Sequence, residues 1–240
     1  MFTHHGKSRT YNHNLKIASL LSFIAGIVNV AGFLAVERLT TNVTGHFAFF
    51  VDDIFKLHFI ESFVFFLYIL SFFLGSFVSS FMVEVISRRN ERFVFVIPAI
   101  IESLILFTIA LLGDFLIANN PDVIAFSLLF AMGLQNSLVT RISDAIVRTT
   151  HLTGLFTDLG IELSQLFFYT TKDQKGKLYA TIKLRLWIIC FFFAGGIIGG
   201  IFYSRFQMLI LLLPATALLI GLIYDTVKFK IIRWSRKRHI

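Results

Sequence analysis

The chain has 240 residues, of which 56% are hydrophobic and 15% are charged, and its mean hydropathy is +0.79. This composition cannot form a water-exposed surface of ordinary charge density, so a soluble protein is excluded and lipid is the expected solvent. The net charge of +8 is also found in nucleic-acid-binding proteins. Here the basic residues lie at the ends of apolar segments, so we expect no nucleic acid partner. The single cysteine, Cys190, excludes an internal disulfide.

Six apolar segments reach the roughly 20 residues that a helix needs to cross the hydrocarbon layer. Two shorter segments, 43–57 and 152–168, are apolar but contain acidic residues. We expect re-entrant, interfacial or broken helices there. The sequence therefore predicts an all-α integral membrane protein with six transmembrane helices, in the segments 15–36, 60–83, 93–112, 121–140, 184–204 and 206–226.

Basic residues stand on alternate connections between the predicted spans. The connections 88–92 and 141–185 and the tail 227–240 are basic, whereas 113–121 contains Asp114 and no Lys or Arg. Loops rich in Lys and Arg stay in the cytoplasm. We therefore predict a multi-pass protein of the bacterial inner membrane with both termini cytoplasmic and Asp114 on the far side. The first span is expected to be retained, because no cleavage site is evident after it.

An internal repeat is visible as four short patterns that recur in the same order. They are GIVN at 26–29 and GLQN at 133–136, TTNVTGHF at 40–47 and TTHLTGLF at 149–156, FLGSFVSS at 73–80 and FAGGIIGG at 193–200, and Pro98-Ala99 and Pro214-Ala215. Because each unit holds three spans, the second unit enters the membrane from the opposite face. We predict one membrane domain of two inverted three-helix repeats, 15–112 and 121–226, each with a broken or re-entrant half-helix at its Thr-Gly pair.

A family likeness rests on residues 29–33, Thr44-Gly45, 133–136, Thr153-Gly154 and 158–160. At these residues the chain resembles the YoaK-type family of uncharacterised bacterial inner-membrane proteins, a domain of unknown function. The resemblance extends from about Leu20 to about Tyr224. It implies a small multi-span membrane protein and no established reaction. After each Thr-Gly pair, where that family commonly has Asn, this chain has His46 and Leu155.

Polar side chains within the apolar body are candidates for a solute pathway. Buried amides must form hydrogen bonds, and the Thr of each Thr-Gly pair can cap the helix that follows, whose N-terminus favours anions. Plain capping and interhelical hydrogen bonds are the alternative interpretation. We expect Asn29, Thr44, Asn136 and Thr153 to line one central cavity. The predicted substrate-pathway residues are Asn29, Thr40, Thr41, Thr44, Gly45, Gln135, Asn136, Thr149, Thr150, Thr153 and Gly154.

Three acidic residues are candidates for coupling to a proton or an ion. Glu102 lies near the middle of the third predicted span, where an ionised carboxylate is costly, so we expect it to face the bundle interior. An internal hydrogen bond to a neighbouring helix is the alternative role. Asp158 and Glu162 are one helical turn apart after the second Thr-Gly pair, so they are a second candidate.

Small residues spaced four apart predict close helix packing in the second and fifth spans. The same surfaces would slide if the two halves rock against each other. The predicted helix-packing residues are Gly75, Ser76, Ser79, Ser80, Gly195, Gly196, Gly199 and Gly200.

The sequence carries no phosphate-binding loop, nucleophile motif or metal-ligand pattern, so we expect neither an enzyme nor a cofactor or metal. The first hypothesis is a secondary transporter that moves a small polar or anionic solute by alternating access. A passive channel and a membrane scaffold or assembly protein are the alternatives. The expected partners are the lipid bilayer and a small solute, and assembly into a homo-oligomer stays open.

Overall fold

The computed structural model describes residues 10–88, 94–143 and 145–224, and the regular secondary structure in these ranges is helical. The helices are α1 Tyr11–Val36, α2 Val43–Phe55, α3 Phe59–Ser87, α4 Val96–Asn119, α5 Pro121–Ile142, α6 Leu152–Gln165, α7 Lys172–Phe206 and, after a 3-10 turn at Gln207–Leu211, α8 at 212–224. Arg89, Arg92 and the whole basic tail 227–240, which contribute to the topology prediction, lie outside the described residues.

Within the described residues, five helical segments are long and apolar enough to cross a membrane. They are α1, α3, α4, α5 and the continuous stretch Lys172–Tyr224. The prediction of a multi-pass helical membrane protein is therefore confirmed. The short helices α2 and α6 have 13 and 14 residues. At 1.5 Å per residue they are about 20 Å long, which is too short to cross the hydrocarbon layer.

The end of α4 differs from the prediction. The sequence predicts a connection at 113–121, and this is wrong because α4 continues until only Asn120 separates it from Pro121. The apolar residues that follow Asp114 keep the helix going. Proline then occupies the first position of α5, where its missing N–H has no helical partner to lose.

The helix α7 begins well before the predicted span 184–204. Its first turns are polar: the Thr171 side chain accepts a hydrogen bond from the Gln174 N–H, and Lys177 pairs with Asp173 at 2.9 Å. With 35 residues, α7 is about 52 Å long. Its first turns therefore extend beyond a hydrocarbon layer of roughly 30 Å. The predicted start of this helix at residue 184 is thus wrong, because charged residues at helical spacing continue α7 back to Lys172.

The most extensive helix pair, α1 and α7, crosses at glycines. A Cβ atom on Gly26 of α1 would clash with the backbone carbonyl of Phe192 in α7, and one on Gly195 of α7 would clash with that of Phe23 in α1. The two main chains therefore approach as closely as they do at small-residue crossings in other membrane proteins.

The helices α3 and α5 form the next most extensive pair in the same manner. A Cβ on Gly75 would clash with the Phe130 carbonyl, and one on Gly133 would clash with the Phe72 carbonyl. Ser76 Oγ also donates to the Gly133 carbonyl at 3.0 Å. The remaining predicted packing residues, all buried or partly buried, are Ser79, Ser80, Gly196, Gly199 and Gly200.

The last helix, α8, packs along α4. Ser103 Oγ donates to the Ala215 carbonyl at 2.9 Å, and buried Gly113 faces the Met208 side chain just before α8. Residue numbers rise in opposite directions along these two contacts, so α4 and the segment from Met208 to the end of α8 are antiparallel.

Phenylalanines cover the outer surface of α3. The rings of Phe73, Phe77 and Phe81 stack in sequence, with centroids 6.4 and 6.1 Å apart, and all three are exposed. A continuous apolar surface of this kind suits contact with lipid rather than with water.

Candidate functional site

Two threonines tie the turn between α1 and α2 back to α1. Thr41 Oγ1 donates to Oδ1 of Asn29 at 2.6 Å, and Thr40 Oγ1 donates to the Val28 carbonyl at 3.2 Å. Thr40 is fully buried. These bonds satisfy polar groups that would otherwise be costly inside an apolar body.

The turn between α5 and α6 is tied to α5 in a similar way. Asn136 Nδ2 donates to Thr150 Oγ1 at 2.7 Å, and that hydroxyl donates to Asn136 Oδ1 at 2.9 Å. Gln135 Nε2 donates to Thr149 Oγ1 at 3.2 Å and to the Leu21 carbonyl of α1 at 2.8 Å. Gln135 therefore links the second turn to the first helix. Its Oε1 has no hydrogen-bond partner among the described residues.

The predicted pathway residues thus form two polar clusters. One lies at each Thr-Gly turn, by which we mean the turn before α2 or α6 together with the Thr-Gly pair in the first turn of that helix. The described hydrogen bonds join Asn29 to Thr41 and Asn136 to Thr150, and none of them joins the two Asn residues. A common central cavity between the clusters stays a prediction.

Neither Thr of the two Thr-Gly pairs caps a helix, so that prediction is wrong. The cap of α2 is Asn42, whose side chain accepts from the Gly45 N–H at 3.0 Å. His151 precedes α6 and makes no side-chain capping bond. Each helix begins one residue before its Thr, so Thr44 and Thr153 lie within the first turn, where both are exposed.

An aromatic cluster, formed by His46, Phe49, Phe65 and Tyr68, packs α2 against α3. His46 is fully buried, with its ring 4.9 Å from that of Tyr68 and 5.8 Å from that of Phe65. Its Nε2 lies 2.5 Å from the Leu39 carbonyl oxygen. The Phe49 and Phe65 rings are 5.3 Å apart. These rings therefore pack α2 against α3 beside the first Thr-Gly turn.

Polar contacts extend this aromatic cluster to α5. Tyr68 donates a hydrogen bond to Asp122 in the first turn of α5. The guanidinium of Arg38 lies over the Phe65 ring at 5.7 Å. The beginning of α5 is thus joined to the same end of α3 that packs on α2.

An ion-pair cluster, formed by Asp158, Glu162 and Arg185, joins α6 to α7. One terminal guanidinium nitrogen of Arg185 bonds Asp158 at 2.8 Å, and its Nε bonds Glu162 at 2.9 Å. The side chains are 23% exposed for Arg185, 48% for Asp158 and 12% for Glu162. Water screens partly buried charges less than surface charges, so this cluster holds α6 more firmly than an exposed pair does.

A cavity of about 410 Å³ opens beside the ion-pair cluster, at the beginning of α6. Arg148, His151, Gly154, Asp158 and Arg185 contribute to its wall. A Cβ on Gly154 would clash with the His151 imidazole, so the glycine lets that ring lie against the turn. The second Thr-Gly turn therefore borders an open polar space.

Sequence reasoning did not identify Arg148 and Arg185 as site residues. A signal for Arg185 was present, because it stands at the edge of an apolar span while two acidic residues one helical turn apart precede it on α6. Nothing in the sequence around Arg148 distinguishes it from other basic loop residues.

Glu102 is fully buried within α4, so the expectation that it faces the interior is confirmed. In the described part of the chain, neither carboxylate oxygen has a hydrogen-bond partner. An ionised carboxylate without partners is costly there, so the group is suited to holding a proton. Within the same residues, no cluster of three His, Cys, Asp or Glu side chains could bind a metal ion.

Comparison with known proteins places these features in a family. A family described as a protein of unknown function (DUF1275) matches residues 17–224. The chain is also similar to the UPF0700 transmembrane protein YoaK of Bacillus subtilis (strain 168), with 26% identity over 216 residues that cover 90% of this chain and 94% of that protein. No solved structure matches. Since the family match extends from α1 to α8, the chain belongs to the DUF1275 family of multi-pass transmembrane proteins, as its resemblance to YoaK-type proteins predicts.

Proposed function

We propose that the protein is a secondary transporter that moves a small polar or anionic solute by alternating access between two inverted halves of three spans each. In this proposal α1, α3 and α4 are the spans of the first half, and α5, α7 and α8 are those of the second. The short helices α2 and α6 are the half-helices at the Thr-Gly turns.

The helix crossings support an inverted repeat. In the sequence repeat, Gly26 of α1 corresponds to Gly133 of α5, and Phe72 of α3 corresponds to Phe192 of α7. Gly26 contacts Phe192, and Gly133 contacts Phe72. The contact between α1 and α7 is therefore matched by the contact between α5 and α3, as an exchange of the two halves requires.

The segment after α7 supports a sixth span. Gln207 has a left-handed backbone, with φ of 49°, and the 3-10 turn that begins there separates α7 from α8. A single straight helix cannot contain such a residue. A reversal at Gln207 fits the antiparallel packing of α8 on α4.

The observation that carries the transport proposal is a difference between the two Thr-Gly turns. The polar bonds Asn29–Thr41 and Asn136–Thr150 hold equivalent positions. Yet packed aromatic rings lie at the first turn, whereas the cavity of about 410 Å³ opens at the second. Two equivalent turns with different surroundings are what the inverted halves of an alternating-access carrier have in each of its end states. A static scaffold has no need for this difference.

Transport by the purified full-length chain in sealed vesicles tests the proposal. Vesicles are loaded with one member of a panel of small polar and anionic metabolites, and uptake of the labelled compound is followed. A carrier gives saturable uptake that is accelerated by unlabelled solute on the opposite side. A passive channel gives uptake without this acceleration.

The control is the same protein with Gly133→Leu, which places a large side chain where a Cβ already clashes with the Phe72 carbonyl. This change disrupts the crossing of α3 and α5, so uptake should fall to the level of empty vesicles. If no panel member enters faster than into empty vesicles, or if transport occurs without acceleration by opposite-side solute, the carrier proposal is wrong.

A further inference from the structure

We infer that the cavity at the beginning of α6 binds a small oxyanion, a carboxylate or phosphate group, between Arg148 and Arg185. The inference rests on the proposed transport function insofar as it names the substrate class. The binding site itself can be tested without transport.

The cavity has the size and chemistry of an anion site. Its volume of about 410 Å³ lies within the range of roughly 300–1,000 Å³ that is typical of small-molecule sites. Among the described residues, the charged side chains on its wall are Arg148, Arg185 and Asp158, and His151 adds an imidazole. Guanidinium groups bind carboxylate and phosphate through two parallel hydrogen bonds. Two such groups on one small cavity favour an oxyanion over a cation or a sugar.

Arg148 is available to a ligand. It is exposed on the cavity wall and forms no ion pair with any residue that the structure describes. By contrast, Arg141 is bound to Glu84 at 2.8 Å. The guanidinium of Arg148 borders the cavity and pairs with no described carboxylate. It can therefore bind a carboxylate of a solute.

The beginning of α6 adds a second anion-favouring feature to the same wall. At the equivalent turn, Asn42 caps α2 by accepting from the Gly45 N–H. His151 takes the place of Asn42 and makes no such bond. The first backbone N–H groups of α6 are therefore not capped by this side chain, and a helix N-terminus with free N–H groups attracts negative charge.

Arg185 is positioned by one carboxylate and competes for a ligand with the other. Glu162 is 12% exposed and bonds Nε, so it orients the guanidinium from within the protein. Asp158 is 48% exposed, lines the cavity and bonds a terminal nitrogen. An incoming anion of the same chemistry would replace Asp158 on that nitrogen. Removing the charge of Asp158 should therefore strengthen anion binding.

The first half lacks these charges at the equivalent positions. In the sequence repeat, Leu39 stands where the second half has Arg148, and Phe65 stands where it has Arg185. The basic residues are thus not required by the scaffold that both halves share. They give the second turn a chemistry of its own, which a ligand explains.

Binding to the full-length protein in detergent tests the inference, with inorganic phosphate and succinate as probes and isothermal calorimetry as the measurement. We expect saturable binding of at least one probe. Arg148→Gln should weaken it by about tenfold or more, as for loss of a charge-assisted hydrogen bond. Asp158→Asn should strengthen it by about two- to fivefold, as for removal of a partly exposed competing pair. Arg148 is exposed and forms no ion pair with any described residue, so its variant should fold.

Lys177→Gln is the matched control. It removes one positive charge, as Arg148→Gln does, but Lys177 lies on α7, is 79% exposed and among the described residues pairs with Asp173, away from the cavity wall. Binding that is absent for both probes, or that weakens equally in Lys177→Gln and Arg148→Gln, overturns the inference. A short-chain anionic phospholipid is the third probe, and binding of this lipid without either soluble anion also overturns it.

Transport and binding separate the two proposals. If a probe binds as expected but does not enter vesicles, the anion site stands and the transport function is wrong for that anion. If another solute is transported and neither anion binds, the transporter proposal stands and the anion site is wrong.

Discussion

Asn136 and Thr150 exchange two hydrogen bonds through a single hydroxyl group, at 2.7 and 2.9 Å. The pair fixes the chain just before α6 to the inner part of α5. Because α6 forms part of the cavity wall, this contact also fixes the position of the cavity relative to the core of the bundle.

Replacement of Asn136 by Ala should therefore destabilise the protein more than replacement of Asn29 by Ala. Asn136 loses two bonds to Thr150, whereas Asn29 loses one bond from Thr41. We expect Asn136→Ala to lower the free energy of unfolding by about 1–2 kcal/mol, in the range of polar contacts in membrane proteins. The free energy of unfolding of both variants is measured in mixed micelles. An equal or larger loss of unfolding free energy in Asn29→Ala would contradict the hydrogen bonds assigned to the two Asn side chains.

A substitution at the crossing of α3 and α5 should show how tightly the helices pack. In Gly133→Ala the new Cβ would clash with the Phe72 carbonyl, and forced separation of packed main chains costs about 1–3 kcal/mol. Gly176→Ala is the matched control on α7, since a Cβ there meets nothing within 4 Å. Alanine should raise stability at this helical position by up to about 1 kcal/mol. The close-crossing description fails if both variants unfold at the same temperature.

The helices were predictable from the sequence because hydropathy and length are local properties, and α1 and α5 lie close to their predicted spans. The Thr-Gly turns were also recognisable, since Thr40, Thr41 and their repeats stand out in an apolar chain. The partners were not predictable. Whether Arg185 meets Glu162 depends on how α7 is rotated against α6, and a single sequence does not encode that rotation visibly. The end of α4 is not predictable in this way, because a charged residue such as Asp114 is equally compatible with a loop and with an exposed helical turn.

Glu102→Gln should separate solute movement from proton coupling. Glu102 is fully buried, and its oxygens have no hydrogen-bond partner in the described residues. The amide has the same shape but cannot exchange a proton. If the transporter is proton-coupled through Glu102, the variant should fold and exchange solute across vesicles while accumulation driven by a pH gradient is lost.

Glu61→Gln is the control for that experiment, because Glu61 is exposed at the beginning of α3 and should leave accumulation unchanged. Full gradient-driven accumulation in Glu102→Gln would remove this residue from the coupling mechanism.

The orientation of the spans can be tested with single cysteines in a Cys190→Ser background. Ser87 and Ala118 are exposed at the ends of α3 and α4. The charge pattern puts basic connections inside, so Ala118→Cys should react with an impermeant maleimide added outside intact cells. Ser87→Cys should react only after permeabilisation. The opposite labelling pattern would show that the predicted orientation is inverted.

The pairing of α1 with α7 and of α3 with α5 has a consequence for biogenesis. The helix α1 enters the membrane long before α7, against which its glycine packs, whereas only α4 lies between α3 and α5. During synthesis α1 must therefore wait in lipid, with the open surface around Gly26 uncovered, until α7 emerges. A chain cut between α4 and α5 should accordingly yield two fragments that are each degraded when made alone and that protect each other when made together. The order of synthesis thus makes assembly of this bundle a late event, in which the first helix receives its main partner close to the end of translation.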